Sequence, residues 1–173
     1  MKVFLLGAPC AGKTTIIKAL REVLDCPLLD VDDELLRLNG GIWPPLELKR
    51  GLSSQVIDEA SRLGDVVLAY SVLDDEQLGA LIAAEWVICL LDLPEEVMRD
   101  RAEERLAREG WTNIEWLPFH LDTIEDLRAR KVFSHVVDAT LPIAASVRAL
   151  ADLMNSTSVT RTCLLYTSDA ADE

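Results

Sequence analysis

The chain is short of positive charge: 17 Lys and Arg stand against 30 Asp and Glu, a formal charge of −13. That balance argues against nucleic acid or an anionic membrane surface as the main partner, because both repel a polyanion. It does not argue against a nucleotide, which backbone dipoles, one lysine and a metal can hold locally. No apolar run approaches the roughly 20 residues of a membrane span, and the first strand-like residues begin almost at Met1, leaving no room for a signal peptide. The four cysteines (Cys10, Cys26, Cys89, Cys163) have no C-x-x-C spacing. Reduced thiols in a cytoplasmic protein are therefore expected rather than disulfides or zinc. The two histidines, His120 and His135, are isolated and lack metal-ligand spacing; they read as structural or surface groups. No internal repeat, linker or guanine-reading Asn-Lys-x-Asp occurs.

What the chain does have is hydrophobic content, 50% of 173 residues, enough for one domain with a real core. It also has one strong motif. The apolar run Val3, Phe4, Leu5, Leu6 stops at Gly7, and Gly12-Lys13-Thr14-Thr15 opens an apolar helical pattern extending over residues 13–24. Gly7, Ala8, Pro9, Cys10, Ala11, Gly12, Lys13 and Thr14 satisfy G-x-x-x-x-G-K-[ST], in the strand-then-helix setting this phosphate-binding loop requires. The glycines permit backbone conformations that turn successive N–H groups inward around an anion. The following helix aims its positive dipole end at the same place. Lys13 can reach β- and γ-phosphates, the Thr14 hydroxyl can ligate Mg²⁺, and Thr15 completes the cradle.

Further along, strand-like runs at residues 27–30, 66–70, 86–91 and 135–138 alternate with helical patterns. Helices are expected over residues 33–38, from Ser53 or Ser54 to Gly64, over 74–84, from Pro94 to Gly110, over 119–130, and from Thr140 or Pro142 to about residue 154. Val56, Ile57, Ala60 and Leu63 should face inward in the third helix, and Leu78, Leu81 and Ile82 in the fourth. Residues 42–45 and 111–118 are expected to be irregular. The order β-α-β-α-α-β-α-β-α-α-β-α predicts parallel strands with right-handed crossovers, hence a three-layer α/β domain over residues 1–154. In such a sheet ligands collect beyond the carboxyl ends of the strands, which draws together the loop after Leu6, Asp30, Tyr70-Ser71, Asp92 and Asp138.

Asp30 and Asp32 lie two apart at a strand end, so both can project toward one site if the backbone stays extended through Val31. Phosphoryl transfer needs a carboxylate near the metal and another near the incoming hydroxyl; the alternative reading is a helix-capping cluster. A phosphate loop on the first strand with Asp-x-Asp at the tip of the second resembles the shikimate kinase and gluconate kinase branch of P-loop kinases. An arginine-bearing segment after the fourth strand and Asp138-Ala139-Thr140-Leu141-Pro142 after the fifth extend the resemblance, which covers residues 1–154. It implies that ATP and Mg²⁺ are used, that Thr14 and Asp30 support the metal, and that Asp32 binds the acceptor hydroxyl. It places Arg101 near the adenine and supplies Arg105 or Arg108 from a lid over about residues 101–118.

The chain departs from shikimate kinases in carrying Tyr70-Ser71-Val72 where they have a glycine triplet, and in lacking their arginine-proline lid sequence. Lys49 and Arg50 are candidates by position alone for the missing substrate-carboxylate arginines. Arg101, Arg105 and Arg108 at i, i+4 and i+7 form one helical stripe, either closing over phosphates or forming a solvated face with pairs such as Glu104–Arg108. Trp111 and Trp116 flank the adjoining loop and either cover a substrate or pack. Residues 155–173 form a polar tail, and residues 163–173 resemble translated sequencing adapter. Leaving that segment out removes three acids and gives 17 basic against 27 acidic residues, a charge of −10. The reading is a monomeric or homodimeric ATP-dependent phosphotransferase acting on a small hydroxylated molecule. A nucleoside or nucleotide kinase is the nearest alternative. An NTP-driven switch or ATPase subunit is the alternative of another class, and only Asp92 could supply the acid a motor needs, because the third strand ends in Ala69-Tyr70-Ser71.

Overall fold

A computed structural model describes residues 1–165, with side chains through residue 156. Residues 166–173, most of the segment read as adapter, lie outside the described residues. Five strands, β1 (Lys2–Leu6), β2 (Leu28–Asp30), β3 (Val66–Tyr70), β4 (Val87–Asp92) and β5 (His135–Asp138), make one sheet in the order β2-β3-β1-β4-β5. All neighbouring pairs are parallel. Helices flank the sheet to give three layers: α1 (Lys13–Leu20), α2 (Val31–Leu38), α3 (Leu46–Ser61), α4 (Asp75–Ala83), α5 (Glu95–Glu109), α6 (Leu117–Ala129) and α7 (Ile143–Leu165). A 3₁₀ turn, Ile114–Trp116, precedes α6.

The central strands are buried on both faces, which is why they read as continuous apolar runs rather than alternating ones. Val3, Phe4, Leu5, Leu6, Leu68 and Leu90 are all 0% exposed. Phe4 meets Trp86 edge-on at 6.3 Å, and the Trp86 indole N–H donates to Ser61 Oγ at 2.9 Å, so its polar atom is satisfied beside the core. From β1 the chain moves to one side of the sheet for β2 and β3, then crosses to the other side for β4 and β5. The reversal leaves a crevice beyond the carboxyl end of β1, where the phosphate loop sits.

Several expected boundaries move. The helix expected from Ser53 or Ser54 begins at Leu46, because Leu46, Glu47, Leu48, Lys49 and Arg50 are good helix formers and one glycine, Gly51, does not stop them. Ser53 is thus no cap: it is buried inside α3, donates to Arg50 O at 2.9 Å and accepts from Gln77 Nε2 at 2.8 Å. Ile82, expected inward, is 62% exposed, and Leu63 lies beyond the end of α3 at 36%. The helix start expected at Asp33 is at Val31, and α1 ends at Leu20 with turns to residue 23. α7 runs past residue 154, since residues 155–165 hold no glycine or proline and Ser156 bonds back to Leu153 O at 2.7 Å. Among the described residues, no helix is long and apolar enough to cross a membrane.

The core's tight packing makes a direct prediction. Leu68→Ala, at a fully buried position on the sheet's interior strand, should lower unfolding free energy by about 2–5 kcal/mol in urea melts. A loss below about 1 kcal/mol would show that β3 is not packed on both faces.

Candidate active site

The loop between β1 and α1 is shaped by two glycines. Gly12 has φ of +101°, a conformation side chains resist, and a Cβ on Gly7 would lie 3.2 Å from Leu91 Cβ. Ala8, Pro9 and Ala11 are buried beneath the loop and Cys10, at φ of +62°, sits half-exposed at its turn. Gly7 N–H donates to Tyr70 O at 3.3 Å, tying the loop to β3. No side chain caps α1, so its first-turn N–H groups remain available to an anion.

Lys13 is buried, at 8% exposure. Its Nζ donates to Gly7 O at 2.7 Å and Ala8 O at 3.0 Å, folding the ammonium back across the loop. Burial lowers its pKa to about 8; the carboxylates of Asp32 and Asp30 and the Cys10 thiol pull upward, and Arg105 pushes down. Thr14 Oγ1 donates to Asp30 Oδ2 at 2.7 Å. Asp30 Oδ1 accepts from Asp32 N–H at 3.1 Å, making Asp30 the cap of α2. The expected extension through Val31 is therefore absent: the chain turns helical there, and Asp32 reaches the site from the first turn of α2. Burial raises the Asp32 pKa, opposed by Lys49 and Lys13. Both acids lie close enough to Lys13 to act on its charge, so the site brings Lys13, Thr14, Asp30 and Asp32 together. Thr15 is exposed on the outer side of the first turn.

The Thr14 hydroxyl and Asp30 carboxylate are hard oxygen donors beside the anion cradle, and they fit Mg²⁺, which takes few protein ligands and fills its shell with water and phosphate. Among the described residues no cluster of three or more acidic, His or Cys side chains could hold a metal alone.

The three arginines of α5 separate. Arg101 donates to Cys10 O (3.4 Å), Ala11 O (3.5 Å) and Ala139 O (3.2 Å), bridging the loop to the turn after β5. It lines a small cleft of about 70 Å³ with Ala11, Gly12, Ile16, Leu141 and Ile143. Arg105 stacks over Trp111 at 3.7 Å and pairs with Glu109 at 3.0 Å. Arg108 pairs with Glu109 at 2.8 Å but is 70% exposed. Trp111 and Trp116 are 51% and 53% exposed. Arg50 is held by Asp74 (2.7 Å) and Glu76 (2.9 Å), whereas Lys49 lies 4.7 Å over the Trp43 ring. Asp92 is paired with Arg128 at 2.6 Å.

The strand-end rule draws Tyr70 to the site without giving it a role, and His120, expected as a structural or surface group, is buried. His120 is 7% exposed and bonds Ser71 O through Nδ1 at 2.8 Å. Burial lowers its pKa; the Ser71 bond opposes, while Lys13 and Lys49 lower it further. Tyr70 is 3% exposed; burial pushes its pKa to about 12 against a hydrogen bond with Ser53. Neither position carries a motif. The one available signal was that both fall where strand ends and their neighbours converge.

No protein-family model matches the chain. It is similar to a shikimate kinase of Aquifex aeolicus, 26% identical over 144 residues, 78% of this chain and 82% of the relative. A shikimate kinase of Thermobifida fusca is 37% identical over 94 residues, 50% of this chain and 55% of the relative. Among solved structures, shikimate kinase from Acinetobacter baumannii in complex with shikimate superposes with TM-score 0.65 at 23% identity, covering 92% of this chain and 93% of that one. A gluconokinase from Sinorhizobium meliloti 1021 gives 0.60 at 20% identity, covering 91% and 97%. The chain has the P-loop kinase fold and resembles the shikimate and gluconate kinase branch.

The buried lysine of this P-loop kinase fold yields a prediction in pH. With its pKa near 8 when folded and 10.5 ordinarily, Lys13 binds fewer protons folded than unfolded across that interval, so stability rises with pH there. Relative to Lys13→Met, the nucleotide-free protein should gain on the order of 3 kcal/mol between pH 8 and pH 10.5. Parallel stability curves for the two proteins would refute the burial.

Proposed function

We propose that the chain transfers the terminal phosphoryl group of Mg-ATP to a hydroxyl of a small molecule. The observation that carries this is the convergence of Lys13, Thr14, Asp30 and Asp32 on one loop. Residues 7–15 wrap the phosphates with backbone N–H groups and the dipole of α1. Lys13 leaves the Gly7 and Ala8 carbonyls for phosphate oxygens, where its charge opposes the charge that develops on transfer. Thr14 and Asp30 hold Mg²⁺, which when bound draws charge from the β- and γ-phosphate oxygens. Asp32 orients the acceptor hydroxyl and takes its proton; burial keeps this carboxylate more basic than usual. Arg101 faces the adenine in the cleft beside Ile16 and Leu141.

Of the two lid candidates, Arg105 is the arginine that acts. It is near enough to Lys13 to depress its pKa, and Trp111 and Glu109 hold its guanidinium in one place. Arg108 points to solvent. A nucleoside monophosphate fits less well as acceptor than an uncharged or singly charged molecule. Binding a second phosphate calls for arginine forks, and Arg50 is already held by Asp74 and Glu76. The acid a motor ATPase would need is likewise occupied, since Asp92 pairs with Arg128.

The test is a phosphotransfer screen with Mg-ATP against sugar acids, cyclic polyols, nucleosides and nucleoside monophosphates. A hit should disappear in Lys13→Ala with the circular dichroism spectrum retained. Asp32→Asn should lower kcat by about 10²–10⁴. Full activity in that variant would remove Asp32 from its role. In the same assay Arg105→Ala should lose at least tenfold and Arg108→Ala less than about twofold, the size of one transition-state contact against none. ATP turnover indifferent to every acceptor but raised by a protein partner would support a switch instead.

A further inference from the structure

His120 lies in the first turns of α6, over the carboxyl end of β3. Its Nδ1 is 2.8 Å from Ser71 O, and a carbonyl can only accept, so Nδ1 carries the proton. In the neutral ring this leaves a bare lone pair on Nε2. Among the described residues Nε2 has no hydrogen-bond partner. It is not sealed in either: among the described residues the fully buried, unpaired side-chain polar atoms are Thr112 Oγ1 and Asn113 Oδ1, and Nε2 is not one of them. The ring is thus held by one nitrogen while the other, a bare acceptor, stays open to a donor from outside the chain.

The surroundings identify what Nε2 faces. Ser71 follows Tyr70, whose carbonyl holds the phosphate loop through Gly7 N–H at 3.3 Å. The charges that reach the ring come from Lys13 on α1 and Lys49 on α3. The same two ammonium groups act on Asp32 of α2. β2 and β3 run parallel with Asp30 beside Ala69, so Asp32 and Ser71, each two residues further on, leave adjacent strand ends, and the ring bonded to Ser71 lies at the same end of the sheet as Asp32. Phe119 packs edge-on against the imidazole at 5.5 Å, fixing its plane.

We propose that His120 is an acceptor-binding residue: its Nε2 receives a hydrogen bond from a second hydroxyl of the acceptor while Asp32 receives the first. The inference rests on the phosphotransfer reading and narrows it. The acceptor is a polyol with at least two hydroxyls on one side, one phosphorylated and one read by the imidazole. A site built around a lone pair rejects the analogue that lacks the matching O–H, because the lone pair is then left dry and unpaired.

Two measurements test it. Imidazole ¹⁵N NMR of the free protein at neutral pH, with His120 assigned by its loss in His120→Asn, should show the Nδ1–H tautomer. An Nε2–H tautomer overturns the proposal before any acceptor is known. Kinetics with Mg-ATP then compare each phosphorylated panel molecule with its mono-deoxy analogues. His120→Asn retains an N–H for Ser71 but deletes the Nε2 lone pair, so it should leave the melting temperature and Mg-ADP binding almost unchanged. For the wild type, removing one particular non-reacting hydroxyl should lower kcat/KM at least tenfold. In His120→Asn that gap should close to about twofold, with the parent compound losing and the deoxy analogue unaffected. An undiminished gap in the variant overturns the role of His120 while leaving phosphotransfer intact. If the wild type phosphorylates nothing in the panel, the underlying reading fails and this one fails with it.

Discussion

A buried ammonium group governs this molecule. Lys13 holds its charge inside the β1–α1 loop against two backbone carbonyls, with Asp30 and Asp32 close by. Removing a cation from water is costly unless it is hydrogen-bonded and paired. The loop carbonyls supply the bonds and the two acids supply the opposite charge. Lys13 thereby constrains its surroundings: Gly7 must approach Leu91 without a Cβ, Gly12 must turn to positive φ, and α1 must start at Lys13 itself. Each of these conditions also shapes a cradle for phosphate. The lysine bonds its own loop, and on the proposed reading the same donors turn to phosphate.

The acids reach that lysine by a route the residue spacing did not reveal. Strand alternation would have carried Asp30 and Asp32 to one side of an extended chain. Instead Asp30 divides its two oxygens, one taking the Thr14 hydroxyl and the other capping α2. The capping interpretation and the functional one are therefore not rivals. By starting α2 immediately after β2, the cap fixes the rotamer of Asp30 toward Thr14 and sets Asp32 in the helix's first turn. There, burial raises its basicity and Lys49 moderates the rise. One side chain positions both carboxylates, and it does so with the bond that makes it look structural.

Most of the framework was legible because it rests on local rules. The phosphate loop is a contiguous motif, the buried strands are continuous apolar runs, and Pro94 and Gly110 mark the ends of α5. Helix starts were read less well. Ser53 looks like a cap, but its partner Gln77 lies on α4, so its hydroxyl is consumed by tertiary packing. Leu46 and Leu48 are exposed and so gave no amphipathic signal for the first turn of α3. The arginine stripe was visible, but which arginine faces the loop was not. That depends on Glu109 at the end of α5 and on where Trp111 falls after Gly110 turns the chain. His120 was opaque for the same reason: its partner, Ser71, is 49 residues away, and no local pattern encodes a bond across the sheet edge.

The contacts around Tyr70 and Arg50 are physically connected. Tyr70 is held by Ser53, Ser53 by Gln77, and Gln77 forms a capping box with Asp74, whose other oxygen grips Arg50. Glycine at position 70 would remove the ring from one end of this chain of contacts. An arginine free to enter the crevice would break it at the other. The aromatic floor and the withdrawn arginine therefore come as a pair, since the polar groups that support one restrain the other. On the proposed reading, the groups left for an acceptor are the Asp32 carboxylate, the Lys49 ammonium and the His120 imidazole. That set suits hydroxyl groups better than a cluster of acids, because hydroxyls both donate to Asp32 and His120 and accept from Lys49.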